Sequence, residues 1–120
     1  MKKVYSIIES MSDNSEEVIY MIKIDFSHQV FKGHFPDRPI LPGVMMCDII
    51  RDLVSESLKT KVQLSLAKNI KFSKMISPSQ CNHYRIKIKT EKNKETYNVR
   101  SSVSKDEEVY FKINAEYKEK

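Results

Sequence analysis

The chain has 120 residues, 40% hydrophobic and 31% charged, which suits one compact α+β-sized domain over residues 1–120 and leaves little room for a second. No apolar run reaches the length of a membrane span, and the stretch Val4, Tyr5, Ile7, Ile8 behind Lys2 and Lys3 lacks a small-residue cleavage pattern. The formal charge of +5 comes from lysines spread along the chain with no basic block on a helix, which argues against nucleic acid and suits an acidic protein partner.

The sequence therefore predicts a cytoplasmic protein without membrane contact. Cys47 and Cys81 stand apart with no CxxC spacing, so a metal site or redox motif is not expected, and reduced, buried thiols fit a reducing compartment. A domain this small buries a modest fraction of its surface. If it must also build a deep substrate site, it has reason to borrow surface from a second subunit.

In chain order, residues 4–8 and 18–26 are rich in β-branched and aromatic residues and predict two strands, with Asp13, Asn14 and Ser15 as the turn between them. Residues 27–43 differ in texture. They hold both glycines of the chain and three of its four prolines, Pro36, Pro39 and Pro42, a concentration that predicts a loop of fixed backbone. Pro42 suits the first turn of a helix that runs over residues 44–58. The start of that helix is apolar on nearly every side (Val44, Met45, Met46, Cys47, Ile49, Ile50), which predicts burial with something wrapped around it.

Four strands complete the reading. Residues 64–76 contain Leu64, Leu66, Ile70, Phe72 and Ile76; Tyr84, Ile86 and Ile88 alternate with Arg85, Lys87 and Lys89; Tyr97, Val99 and Val103 follow the Lys92-Asn93-Lys94 turn. The last strand is the clearest, with Val109, Phe111, Ile113, Ala115 and Tyr117 on one face and Tyr110, Lys112, Asn114 and Glu116 on the other. One helix and a run of mostly antiparallel strands predict an α+β layer arrangement with the sheet curled around the helix.

The chemistry-bearing segment is His28-Gln29-Val30-Phe31-Lys32-Gly33-His34-Phe35-Pro36-Asp37-Arg38-Pro39-Ile40-Leu41-Pro42-Gly43-Val44. It places an imidazole in a proline-stiffened loop just before a helix N-terminus, where free N–H groups and the positive end of the dipole suit an oxyanion. From the residues alone other readings stay open. A loop histidine is commonly solvated, Pro-x-x-Pro spacing also marks polyproline II ligands, and Asp48 shares a helical stripe with Arg51, Asp52, Ser55 and Lys59, where it can simply pair with Arg51.

The run Gly33-His34-Phe35-Pro36-x-x-Pro39-Ile40-x-Pro42-Gly43-Val44 closely resembles the signature of the β-hydroxyacyl-acyl carrier protein dehydratases of fatty-acid synthesis and their polyene-making relatives. The similarity continues more weakly through Asn69-Ile70-Lys71-Phe72 and Pro78, where the family's Pro-Gly-Asp turn is Pro78-Ser79-Gln80. The resemblance implies the hotdog fold, an antiparallel β-sheet wrapped around one long central helix, and a homodimer, or an oligomer of dimers, with two sites at the subunit interface. It implies His34 as catalytic histidine and Asp48, fourteen residues later on the helix, as catalytic acid.

By the same resemblance the substrate is a 3-hydroxyacyl thioester on acyl carrier protein, and no cofactor or metal is required. His34 would remove the C2 proton, the Gly43 N–H beside Val44 would hold the thioester oxygen, and Asp48 of the other subunit would position or protonate the leaving hydroxyl. Phe31, Phe35, Met45 and Met46 are candidates for an acyl channel, with core packing an equal reading for the methionines. His28 and His83 show no spacing that argues for metal. Family members commonly carry Gln where this chain has Asp52; two partly buried carboxylates one turn apart repel, either tuning Asp48 as an acid or weakening the site. A hotdog thioesterase and a non-catalytic hotdog subunit are the competing readings.

Overall fold

The computed structural model describes residues 3–14, 16–32 and 39–120. Six strands, β1 (Tyr5–Asn14), β2 (Glu17–Ile24), β3 (Val62–Phe72), β4 (His83–Asn93), β5 (Thr96–Lys105) and β6 (Glu108–Glu119), form one sheet in the order β1-β2-β4-β5-β6-β3, and every pairing is antiparallel. The one long helix among the described residues, α1 (Gly43–Leu58), lies between β2 and β3 in the chain.

Period-two alternation gives each strand one apolar face, and register aligns these faces into rows. Ile86, Val103, Phe111 and Phe72 pair in succession across β4, β5, β6 and β3. Against this face α1 buries Met46, Ile49, Ile50, Leu53 and Val54, a stripe at helical spacing that joins Ile22, Ile88, Val99 and Tyr117 in one core. Polar Ser101 sits in the adjoining row between Ile88 and Ile113, and its hydroxyl is buried with no hydrogen-bond partner among the described residues.

The connections are set by local chemistry. Asp106 and Glu107 both take positive φ, 51° and 67°, the mirror-image turn that suits the twist of a tight hairpin between β5 and β6. Lys59 ends α1 in the left-handed region, its N–H donating to Glu56 and Ser55 carbonyls, while the Ser55 hydroxyl accepts from Val62 N–H at 3.1 Å and ties the helix end to the start of β3. Ahead of α1, Leu41 N–H donates to Ile76 O at 2.8 Å, anchoring the segment that leads into the helix.

Two boundaries and one burial differ from the sequence expectation. β1 extends to Asn14, well beyond residue 8, because as an edge strand it tolerates exposed Ile7, Ile8 and Met11 and a register shift at Ile7/Glu9 that breaks the alternation. β3 stops at Phe72; Ile76 instead makes the isolated bridge to Leu41. The helix start is not enclosed on all sides, for Val44 is 69% exposed: one sheet covers only one side of α1 within a single chain.

β3 forms the other edge. It pairs with β6 on one side only and leaves Leu64, Leu66 and Phe72 about half exposed along eleven residues. A long apolar strand edge with unpaired backbone groups is a template for another strand.

Candidate active site

Asp48 stands on the second turn of α1, and its side chain is 55% exposed. Arg51 lies one turn on and reaches both neighbouring carboxylates, Nη1 to Asp48 Oδ1 at 3.4 Å and Nη2 to Asp52 Oδ1 at 3.6 Å. The repulsion that the sequence predicts between Asp48 and Asp52 is thus countered by a cation set between them. We expect Asp52→Gln to keep or raise turnover, since Arg51 retains Asp48 without it; a kcat reduced more than about 10-fold would instead give Asp52 a direct part in proton transfer.

These groups line a cleft of about 560 Å³ whose walls include Tyr5, His28, Met45, Asp48 and Asp52. Its size is that of a small-molecule site. Burial, followed by the charges of Asp52 and Glu56, pushes the Tyr5 hydroxyl up to about 12, so Tyr5 remains a neutral hydrogen-bonding wall. Burial and then Asp48 push the Cys47 thiol up, which disfavours the thiolate and leaves this cysteine unsuited to nucleophilic work.

His28 is a member of this cleft that spacing did not reveal. Its Nδ1 accepts from Val30 N–H at 3.0 Å and caps the 3₁₀ turn Gln29–Phe31, which fixes the ring's orientation. The sequence carries only a faint signal for this, a side-chain acceptor placed two residues ahead of the amide it caps.

Gly43 opens α1 behind Pro42, which has no side-chain acceptor to offer the first N–H groups of the helix. A Cβ built on Gly43 would lie 2.2 Å from Cε1 of Phe72, so the aromatic ring on β3 rests directly on this glycine and a larger residue would push the ring aside. Beyond the ring a second cavity, about 330 Å³, is walled by Met46, Phe72, Met75, Tyr110 and Phe111. Asp48 follows five residues after Gly43, roughly 7.5 Å along the helix axis.

The remaining candidates divide. His34, Gly33 and Phe35 lie outside the described residues. Val44 is exposed at the first turn, open to solvent or to a second subunit. Phe31 departs from the expected channel position: it is 4% exposed, with its ring centroid 4.9 Å from that of Phe26, and belongs to the core. The 3₁₀ turn swings it inward. No group of three or more metal-ligating side chains occurs among the described residues, and no described helix is long and apolar enough to cross a membrane.

One long helix on the inner face of a six-stranded antiparallel sheet in this order defines a hotdog fold. The chain belongs to the ApeI-like dehydratase family, whose model matches residues 10–112. It is 30% identical over 88 residues to the 3-hydroxyacyl-[acyl-carrier-protein] dehydratase FabZ of Clostridium acetobutylicum, an alignment covering 68% of this chain and 62% of that protein. The matched region thus falls short of two thirds of the relative's length.

Among solved structures, the dehydratase heterocomplex ApeI:P from Xenorhabdus doucetiae superposes with a TM-score of 0.76 at 21% identity, covering 98% of this chain and 99% of that one. A mutant thioesterase from Pseudomonas aeruginosa superposes with a TM-score of 0.61 at 9% identity, over 93% of this chain and 79% of that one. At such identities these likenesses concern the fold.

Proposed function

We propose that this chain removes water from a 3-hydroxyacyl thioester carried on acyl carrier protein, giving the trans-2-enoyl thioester, in biosynthesis of the fatty-acid or polyene type. The observation that carries this reading is Asp48 at the open rim of a ligand-sized cleft, held by Arg51, on the same helix whose uncapped start is Gly43.

In this reading His34 takes the C2 proton, since an imidazole titrates near working pH. Charge then developing on the thioester oxygen is met by the Gly43 N–H and the helix dipole. Asp48 positions the C3 hydroxyl or, in its carboxylic-acid form, supplies the proton with which that hydroxyl leaves as water. Arg51 keeps the carboxylate oriented between turns. This is acid–base elimination and calls for neither metal nor organic cofactor.

The site is completed by two chains. The apolar edge of β3 supports pairing with the same edge of a second copy, which would continue the sheet and cover Leu64, Leu66 and Phe72. Asp48, more than half exposed in the single chain, would then face His34 of the other subunit. A second arrangement has support in the relative solved as the heterocomplex ApeI:P: the same edge pairing with a different hotdog subunit.

Incubation of the purified chain with a 3-hydroxyacyl-carrier thioester, followed by mass spectrometry of the products, tests the reaction. The enoyl thioester is expected. Release of free acid would establish the thioesterase reading, and unchanged substrate would establish a supporting, non-catalytic subunit.

A further inference from the structure

The sheet's outer face, turned away from α1, carries charge that the dehydration scheme does not use. Direct cross-strand partners align Lys87, Ser102, Lys112 and Lys71 in one row, and Lys89, Arg100, Asn114 and Asn69 in the next. Two of these pairings set like charges directly opposite each other, Lys89 against Arg100 and Lys112 against Lys71. Such pairs destabilise a sheet.

Compensation is scant. Lys87 reaches Glu17 at 3.7 Å, whereas Lys89, Arg100, Lys112 and Lys71 enter no ion pair among the described residues. The face is hollowed at this point into a depression of about 560 Å³, lined by Lys87, Lys89, Arg100 and Lys112 with Asn69, Ser102 and Asn114 between them and one carboxylate, Glu17, beside Lys87. Asn114 Oδ1 is buried here with no hydrogen-bond partner among the described residues.

The dimensions limit what fits. Strand spacing and rise put the backbone positions of these cations within about 15 Å of one another. The next row brings Glu91 and Glu116 across Asn98, so a long polyanion would run from lysines onto carboxylates. A flat anionic membrane would not enter a hollow.

We propose that this face is a binding site for a compact oligophosphate anion, separate from the dehydration site. The anion would sit between the opposed cations, replacing their repulsion with shared attraction, and would take hydrogen bonds from Ser102 and Asn69.

Thermal unfolding of the full chain in low salt tests this, with sodium tripolyphosphate at about 1 mM against sodium chloride of matched ionic strength. Tm is expected to rise by about 4 °C or more with tripolyphosphate. The Lys89→Gln/Lys112→Gln variant should melt above wild type without the anion, because both like-charge pairs are gone, and should lose most of the shift. Arg100→Gln alone should weaken tripolyphosphate binding about 10-fold in calorimetry, with unchanged circular dichroism and unchanged turnover of the thioester. No shift in the wild type, an equal shift in the double variant, or tighter binding of a 20-base-pair DNA duplex than of tripolyphosphate would each overturn the proposal.

Discussion

His34→Ala and Asp48→Asn are each expected to lower turnover of a 3-hydroxyacyl-carrier thioester by about 100-fold or more, the scale on which general acid–base groups contribute. The fold should survive both changes. Asp48 is exposed, and its loss leaves Arg51 paired with Asp52 at 3.6 Å, so no buried charge is stranded. Circular dichroism and melting of each variant should match wild type, and steady-state kinetics should place the loss in kcat. Near-normal turnover in either variant would remove that residue from the mechanism.

The second expected result tests whether two chains share a site. When His34 and Asp48 of one site come from different subunits, a dimer of His34→Ala with Asp48→Asn holds one doubly damaged site and one intact site. The purified mixed dimer, isolated through two different tags, should therefore show about half of wild-type activity, and unfractionated co-expression about a quarter, by random pairing in a closed two-fold dimer. Each parent alone should be nearly inactive. A mixed dimer no more active than its parents would mean that the two residues act within one chain or do not act together.

How much of this is legible in the sequence depends on whether a feature is local. The period-two pattern over Phe111, Ile113, Ala115 and Tyr117 reads directly as β6, and all four are buried as the alternation demands. The helix reads to within a residue of Gly43–Leu58, because Pro42 and the apolar stripe mark it locally. β1 was harder. Its outer half is an edge with exposed Ile8 and Met11, and nothing in a short polar stretch says that it pairs with β2.

Two features of the cleft depend on tertiary placement and could not be read from spacing. Arg51 as bridge between Asp48 and Asp52 required side-chain geometry to choose among partners on one helical face. His28 entered the cleft, and Phe31 left it, because one 3₁₀ turn rotates successive side chains in different directions. What the family motif implies for the loop is local, whereas the groups around Asp48 are placed by packing.

The edge of β3 bears on how the protein behaves at low abundance. If folding of the apolar flank and association are a single linked equilibrium, the stability of each subunit depends on protein concentration and not on sequence alone. Dilution would then release chains whose eleven-residue edge is ready to pair with any strand it meets, making the solitary subunit the species most exposed to proteases and to edge-to-edge ladders. The supply of the partner chain during synthesis, as much as the composition of the core, would set how much folded protein persists.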